Sequence, residues 1–177
     1  MKQRVFHNPV IGDRVTLLKS SEETNGETTL MEIIVNPGGG NTLHRHIDYT
    51  ERFEVLDGDL TVTVGDQQRL LRDGDTALVM ANTMHCFNNH TKKAVKFLVE
   101  ITPAQPGFEK AIAIGYGLAA DGLVDKNSIP KNIRHMAVLV TMSGIIPSGI
   151  FRWFMPLLRL IASRSQHIEN ELISRYC

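Results

Sequence analysis

Cysteine is scarce: Cys86 and Cys177 are the only two in 177 residues and show no CxxC spacing, so no disulfide framework is available. The opening stretch, MKQRVFHNPVIGD, lacks the apolar core of a signal peptide, which makes a cytosolic protein the expectation. On that expectation the glycosylation-like triplet Asn89-His90-Thr91 is a chance occurrence. No excess of one charge is present either. Nineteen basic residues balance nineteen acidic ones, and no helix-turn-helix pattern is visible, so nucleic acid is not an expected partner. A repeat of 20–50 residues is also missing, as is the nucleophile-elbow pattern that would mark a serine hydrolase. Gly38-Gly39-Gly40 is not followed by GK[ST], so it reads as a flexible turn instead of a phosphate cradle.

What remains is ordinary in bulk and uneven in detail. Hydrophobic residues make up 42% and charged residues 21%, near globular values, and the length fits one domain, or one with a modest extension. Residues 1–107 hold eleven Lys/Arg against fourteen Asp/Glu, whereas residues 108–177 hold eight against five. The change in charge coincides with a change in periodicity.

Short segments rich in Val, Ile, Leu, Thr and Phe predict strands at 14–18, 28–35, 51–56, 60–64, 68–71, 76–80, 85–88 and 95–101. Asp57-Gly58, Gly65-Asp66 and Asp73-Gly74 supply turn signals between them. Seven or more short strands at this spacing indicate an all-β sandwich or barrel. Pro103 and Pro106 mark the boundary. Beyond it Phe108, Ala111, Ile112, Gly115 and Ala119 fall on one helix face. Pro130 stands where a second helix would begin, with Ile133, Met136, Ala137 and Val140 as its stripe. Gly144–Gly149 breaks that helix, a third stretch starts near Ile150 with a kink or restart at Pro156, and Ile168, Leu172 and Tyr176 suggest a last amphipathic turn or two.

Four of the seven histidines lie between positions 44 and 90. Residues two apart on a strand face the same way, so His44 and His46 project together. Glu51 opens the next strand and His85 a later one. If these inward faces meet, three imidazoles and a carboxylate converge, a set suited to a divalent transition metal such as Fe, Mn, Zn or Ni. Three or four protein ligands leave coordination positions open for water, substrate or dioxygen. Glu54 has the wrong parity and reads as solvated or salt-bridged; Cys86 faces away from His85. Phe53, Val55, Val62, Met80 and Phe87 are expected as pocket walls for a small organic ligand.

The spacing from Gly38 through His44, His46 and Glu51 to Gly58 resembles the first motif of the cupin family at every fixed position. Gly74, His85 and Asn89 resemble the second, while Met80 and Asn82 stand where that family usually has Pro and Gly. The resemblance covers roughly the first hundred residues. It implies a mainly β, jelly-roll barrel over residues 1–106, followed by a helical C-terminal extension over 107–177. It further implies His44, His46, Glu51 and His85 as the metal ligands, and a homodimer. Fold does not give function here, and two readings stand side by side. One is a metal-dependent enzyme of oxygenase or isomerase type acting on a small organic molecule. The other is a non-catalytic binding or sensing module.

Residues 133–162 are strongly apolar, yet Gly144, Pro147, Gly149, Arg152, Pro156 and Arg159 interrupt them, which argues against a simple transmembrane span. Three roles are open. The stretch packs on the barrel or a partner, the favoured reading; or it lies along a membrane surface with Trp153, Phe154 and Leu157 inserted; or it forms a lid over the barrel mouth.

Overall fold

Alternation turns the first hundred residues into strands. In Thr29–Val35, every second residue from Thr29 is buried and the residues between are half-exposed, the signature of a strand with one face on a core. The computed structural model describes residues 3–177, with all their side chains except that of Phe151. Ten strands come first: β1 Val5–Asn8, β2 Asp13–Lys19, β3 Thr29–Val35, β4 His44–Arg45, β5 Thr50–Asp57, β6 Leu60–Val64, β7 Gln67–Leu71, β8 Thr76–Val79, β9 His85–Asn88 and β10 Val95–Thr102. Then follow α1 Pro106–Ala120, α2 Ile133–Ser143, β11 Ile146–Pro147, a 3-10 helix Gly149–Phe154, α3 Met155–Ser163 and α4 Gln166–Tyr176.

Each expected strand is present to within a residue at either end. The sequence reading left out β1, β4 and β11. It also placed the start of the second helix at Pro130, whereas α2 begins at Ile133: the Asn132 side chain caps it by accepting from the Arg134 amide at 2.9 Å. Pro130 instead bridges to Val124 in the loop. Pro156 sits in the first turn of α3, where a missing N–H costs nothing.

The strands form two antiparallel sheets. One has the order β1-β2-β3-β10-β5-β8 and the other β11-β4-β9-β6-β7. Their facing sides build the main core around Phe53, Phe97, Met31, Leu60 and Val55. Gly65 allows the tight β6–β7 connection by adopting φ +59°, a region costly for residues with a Cβ.

The helical part is joined to this body at several points. Ala113 of α1 belongs to the main core, and Phe108, Ile112 and Tyr116 pack against it. Glu109, buried in the first turn of α1, accepts from the Ser21 amide at 2.7 Å and from the Thr29 hydroxyl at 2.5 Å. Those bonds pin the helix to the β2–β3 edge. A second cluster, including Ile114, Leu118, Val138 and Leu172, binds α1, α2 and α4 together. Strand β11 adds itself to the second sheet beside β4, with Pro147 opposite His44. Among the described residues no helix is long and apolar enough to cross a membrane.

Candidate metal centre

Three of the four expected ligand positions belong to the second sheet. His44 and His85 are direct partners across the β4–β9 ladder, and His46 follows β4 with the parity that returns it to the same side. Glu51 comes from β5 in the opposing sheet. The centre thus lies between the sheets, and all four residues are at most 5% exposed. One ring nitrogen from each histidine lies within 4.8 Å of the others. The ring centroids of His44 and His85 are 4.3 Å apart, and those of His46 and His85 4.8 Å apart.

Backbone carbonyls fix the tautomers. Nδ1 of His44, His46 and His85 lies 2.8, 2.8 and 2.9 Å from the carbonyl oxygens of Thr42, Tyr49 and Thr83. A carbonyl only accepts, so each Nδ1 carries the proton and each Nε2 of a neutral ring keeps a lone pair aimed inward. The Glu51 carboxylate faces those lone pairs: its Oε2 is 2.9 Å from His85 Nε2 and 3.5 Å from His46 Nε2. His46 Nε2 is buried without a hydrogen-bond partner. Several acceptors aimed at one point with no donor between them need a cation. A proton on His85 supplies part of that charge, and a divalent metal would satisfy the whole set. The residues present therefore fit the ion that imidazole and carboxylate prefer.

The local electrostatics agree. Burial, reinforced by the neighbouring His85 charge, lowers His44 to about 4, so its imidazole is neutral and ready to coordinate at neutral pH. Burial also works against a charged His85, yet the adjacent Glu51 outweighs it and raises that group. Burial would raise Glu51, but the His46 and His85 rings beside it hold it at about 2.

Tyr49 is not apparent from the sequence, and Asn82, which stands where the resembled family usually has Gly, gains a structural reason. Tyr49 stacks on His46 with centroids 3.7 Å apart and planes at 12°; its carbonyl orients the ring, and its hydroxyl reaches the Ser143 carbonyl of α2 at 3.4 Å. Asn82 takes φ +66°, so this Asn adopts the left-handed conformation that a Gly would supply. Its amide donates to the His46 carbonyl at 2.7 Å. Asn89, by contrast, is a loop clamp: its buried amide donates to the carbonyls of Val35 and Lys93 at 2.9 and 2.7 Å.

A cavity of about 220 Å³ touches His44 and Glu51 and is mostly apolar. Of the expected walls, Phe53 and Phe87 line it. Val55 and Val62 do not; they are buried in the core beside the cluster of Phe53, Phe87 and Phe97 rings. Met80 is a correction. It is 57% exposed, because Ala77 and Val79 take the inward positions of β8 and Met80 follows on the outward parity. Glu54 pairs with Arg52 at 2.8 Å on the outer face. Helix α1 supplies further wall residues, Phe108, Ile112 and Tyr116, so the extension both packs on the sheets and covers the cavity.

Comparison with known proteins agrees with this architecture. A model of the Cupin_2 family, described as a cupin domain, matches residues 31–101. An RmlC-like cupin from Shewanella frigidimarina is 20% identical, with TM-score 0.51 over 60% of this chain and 90% of that one. A predicted oxalate decarboxylase from Thermotoga maritima is also 20% identical, with TM-score 0.50 over 51% of this chain and 80% of that one. At such identities the likeness concerns the fold. No curated protein matches the chain. The matched segment runs from β3 to β10 and holds all four side chains of the centre, so residues 31–101 are similar to a cupin domain, and a helical C-terminal part follows them.

Proposed function

We propose that this protein binds a divalent transition metal through His44, His46, Glu51 and His85 and uses it on a small organic molecule held in the adjoining cavity, in chemistry of oxygenase or isomerase type. The supporting observation is the set of imidazole Nε2 lone pairs, each fixed by a backbone acceptor on Nδ1, converging on one buried point with the orphaned His46 nitrogen among them. A bound Fe, Mn, Zn or Ni ion would act there as a Lewis acid toward a ligand oxygen. The chain's own residues do the rest. Phe53, Phe87, Phe108 and Ile112 exclude water and shape the ligand's body. Glu51 holds the negative charge against the cation, and Tyr49 keeps His46 from rotating. In this reading the two sheets close into a jelly-roll barrel over residues 1–106, and residues 107–177 brace it.

Elemental analysis of the purified protein tests the assignment. About one metal per chain is expected in the wild type, and loss of that metal in folded His44→Ala and His85→Ala variants. Retention of metal in both variants would refute the ligand set. A protein that takes up no metal but still binds a small molecule would favour the non-catalytic module.

A second reading concerns the outer face of the helical part. Trp153, Phe154, Leu157 and Leu160 are 45–71% exposed while Met155, Leu158 and Ala162 point inward, so this stretch is apolar on both sides. Arg152, Arg159 and Arg164 flank it, and no Asp or Glu occurs between Asp125 and Glu169. We assign this face to an anionic membrane surface, with the apolar side chains in the interface and the arginines at headgroup level. Flotation with phosphatidylcholine vesicles, with and without 30% phosphatidylglycerol, decides it. Association only with the anionic vesicles, weakened by salt and abolished by Trp153→Ser with Leu157→Ser, is expected. No association at low salt, or a homodimer in sedimentation that the same substitutions split, would assign the face to a second copy or to solvent instead.

A further inference from the structure

The cavity has a second polar end. Besides His44 and Glu51 it is lined by Asp13 and Tyr116, with apolar side chains such as Met31, Ile33 and Val99 between. The strand order places the two ends apart. Asp13 opens β2 and Glu51 lies on β5, with β3 and β10 between them, which is three strand spacings or roughly 14 Å of sheet width. They also differ along the strands. Val15, next inward from Asp13, is level with Ile33, whereas Phe53, next inward from Glu51, is level with Val99 and Met31. The open space therefore runs diagonally from the metal centre toward the start of β2.

At that far end one valence is unfilled. The Tyr116 hydroxyl donates to Asp13 Oδ2 at 2.7 Å, which uses the tyrosine's only proton. Asp13 Oδ1 is buried and has no hydrogen-bond partner. No cation pairs with Asp13 among the described residues. A carboxylate oxygen removed from water without a donor is a cost that folding alone does not explain. Burial raises the Asp13 carboxyl despite the Tyr116 bond, in line with a group left short of partners.

We infer that Asp13 is the second recognition point of the cavity, and that its free Oδ1 accepts a hydrogen bond from a hydroxyl or amine at the end of the ligand remote from the metal. Tyr116, fixed on α1 by the Glu109 contacts, is its positioning residue. The ligand class follows: a narrow molecule with a metal-binding oxygen at one end, an apolar body that follows the diagonal between the two ends, and a hydrogen-bond donor at the other end. The metal end of this inference rests on the proposed function; the Asp13 end does not.

The test uses straight-chain carboxylates of four to sixteen carbons ending in methyl, hydroxyl or ammonium, titrated calorimetrically into the metal-loaded full-length protein. At one chain length or more, the hydroxyl or ammonium compound is expected to bind at least tenfold tighter than its methyl counterpart. Asp13→Leu abolishes that preference and Tyr116→Phe reduces it. A stronger effect of ammonium than of hydroxyl shows that the carboxylate acts as an ion. Equal or tighter binding of the methyl series at every length, a preference that survives Asp13→Leu, or no binding of any member would overturn the inference. Thermal unfolding of the metal-free protein provides a readout independent of the metal. Asp13→Asn keeps an acceptor for Tyr116 and removes the unrewarded charge, so its midpoint is expected to equal or exceed that of the wild type. A lower midpoint would make Asp13 a structural residue and sink the proposal. If the protein takes up no metal, the proposed function fails while Asp13→Asn still decides this point.

Discussion

Replacing Glu51 by Gln changes one charge in the centre and almost nothing in shape. In the metal-free protein the carboxyl is held at about 2, against 4.5 for the free side chain, by the His46 and His85 rings beside it. Each unit is worth 1.36 kcal/mol, so the ionised form gains about 3 kcal/mol from its surroundings. Glu51 is almost fully buried, and solvent screening does little to reduce that figure. For a chain of this size the loss corresponds to a fall in melting temperature of roughly 6–12 °C at pH 7. The sign of the pH dependence follows from the depressed value. Between about 2 and 4.5 the unfolded chain binds more protons than the native one, so the wild-type advantage is complete above 4.5 and drains away as the pH falls toward 2. Calorimetric melting of metal-free wild type and Glu51→Gln at pH 7 and pH 3 measures both effects, and the gap at pH 3 is the smaller. With metal added, the gap at pH 7 widens, because the variant also loses an anionic ligand. Equal midpoints at pH 7, or a gap that does not shrink in acid, would refute this account of the centre.

Three further substitutions probe separate parts of the molecule. Gly117→Ala would place a Cβ 2.2 Å from Tyr176 Cδ1; overpacking of about 1–3 kcal/mol outweighs the gain in helix propensity of up to about 1 kcal/mol, and Tyr176→Ala in the same chain relieves most of it, by chemical denaturation. Asn89→Ala removes two donated bonds and the acceptor for the Thr91 amide and hydroxyl; a loss of about 2–4 kcal/mol is expected, with metal content per folded chain unchanged. Met80→Ser, exposed just beyond the end of β8, stays within about 0.5 kcal/mol of wild type and leaves ligand affinity unaltered by calorimetric titration.

Period-two alternation explains how much of the β body was legible. Segments such as Thr29–Val35 announce their buried face through alternation alone, and the same parity put His44 and His46 on one face, while the grouping with Glu51 and His85 came from the cupin resemblance. Parity failed at Met80 because Leu78 and Met80 are both apolar and both exposed, so hydropathy there does not separate inside from outside. Strand β4 has two residues, His44 and Arg45, too few to show any period. Strand β11, also of two residues, exists only because it pairs with β4, a contact across a hundred positions that no local pattern encodes. Asp13 and Tyr116 are hidden for the same reason: 103 residues separate the partners of one hydrogen bond.

The extension bears on how the centre works. Pro147 pairs with His44 across the β11–β4 ladder, and Tyr49, stacked on His46, reaches Ser143 at the end of α2. Two of the three imidazoles are thus braced by residues outside the segment that matches the cupin family. Helix α1 in turn forms a wall of the cavity and holds the tyrosine that fixes Asp13. The matched segment supplies the four proposed ligands, a set that suits many reactions. Which molecule reaches them depends on surfaces that lie on the helices. On the proposed function, relatives sharing the four side chains but lacking the helices would share the metal chemistry and differ in substrate, since α1 lines the cavity.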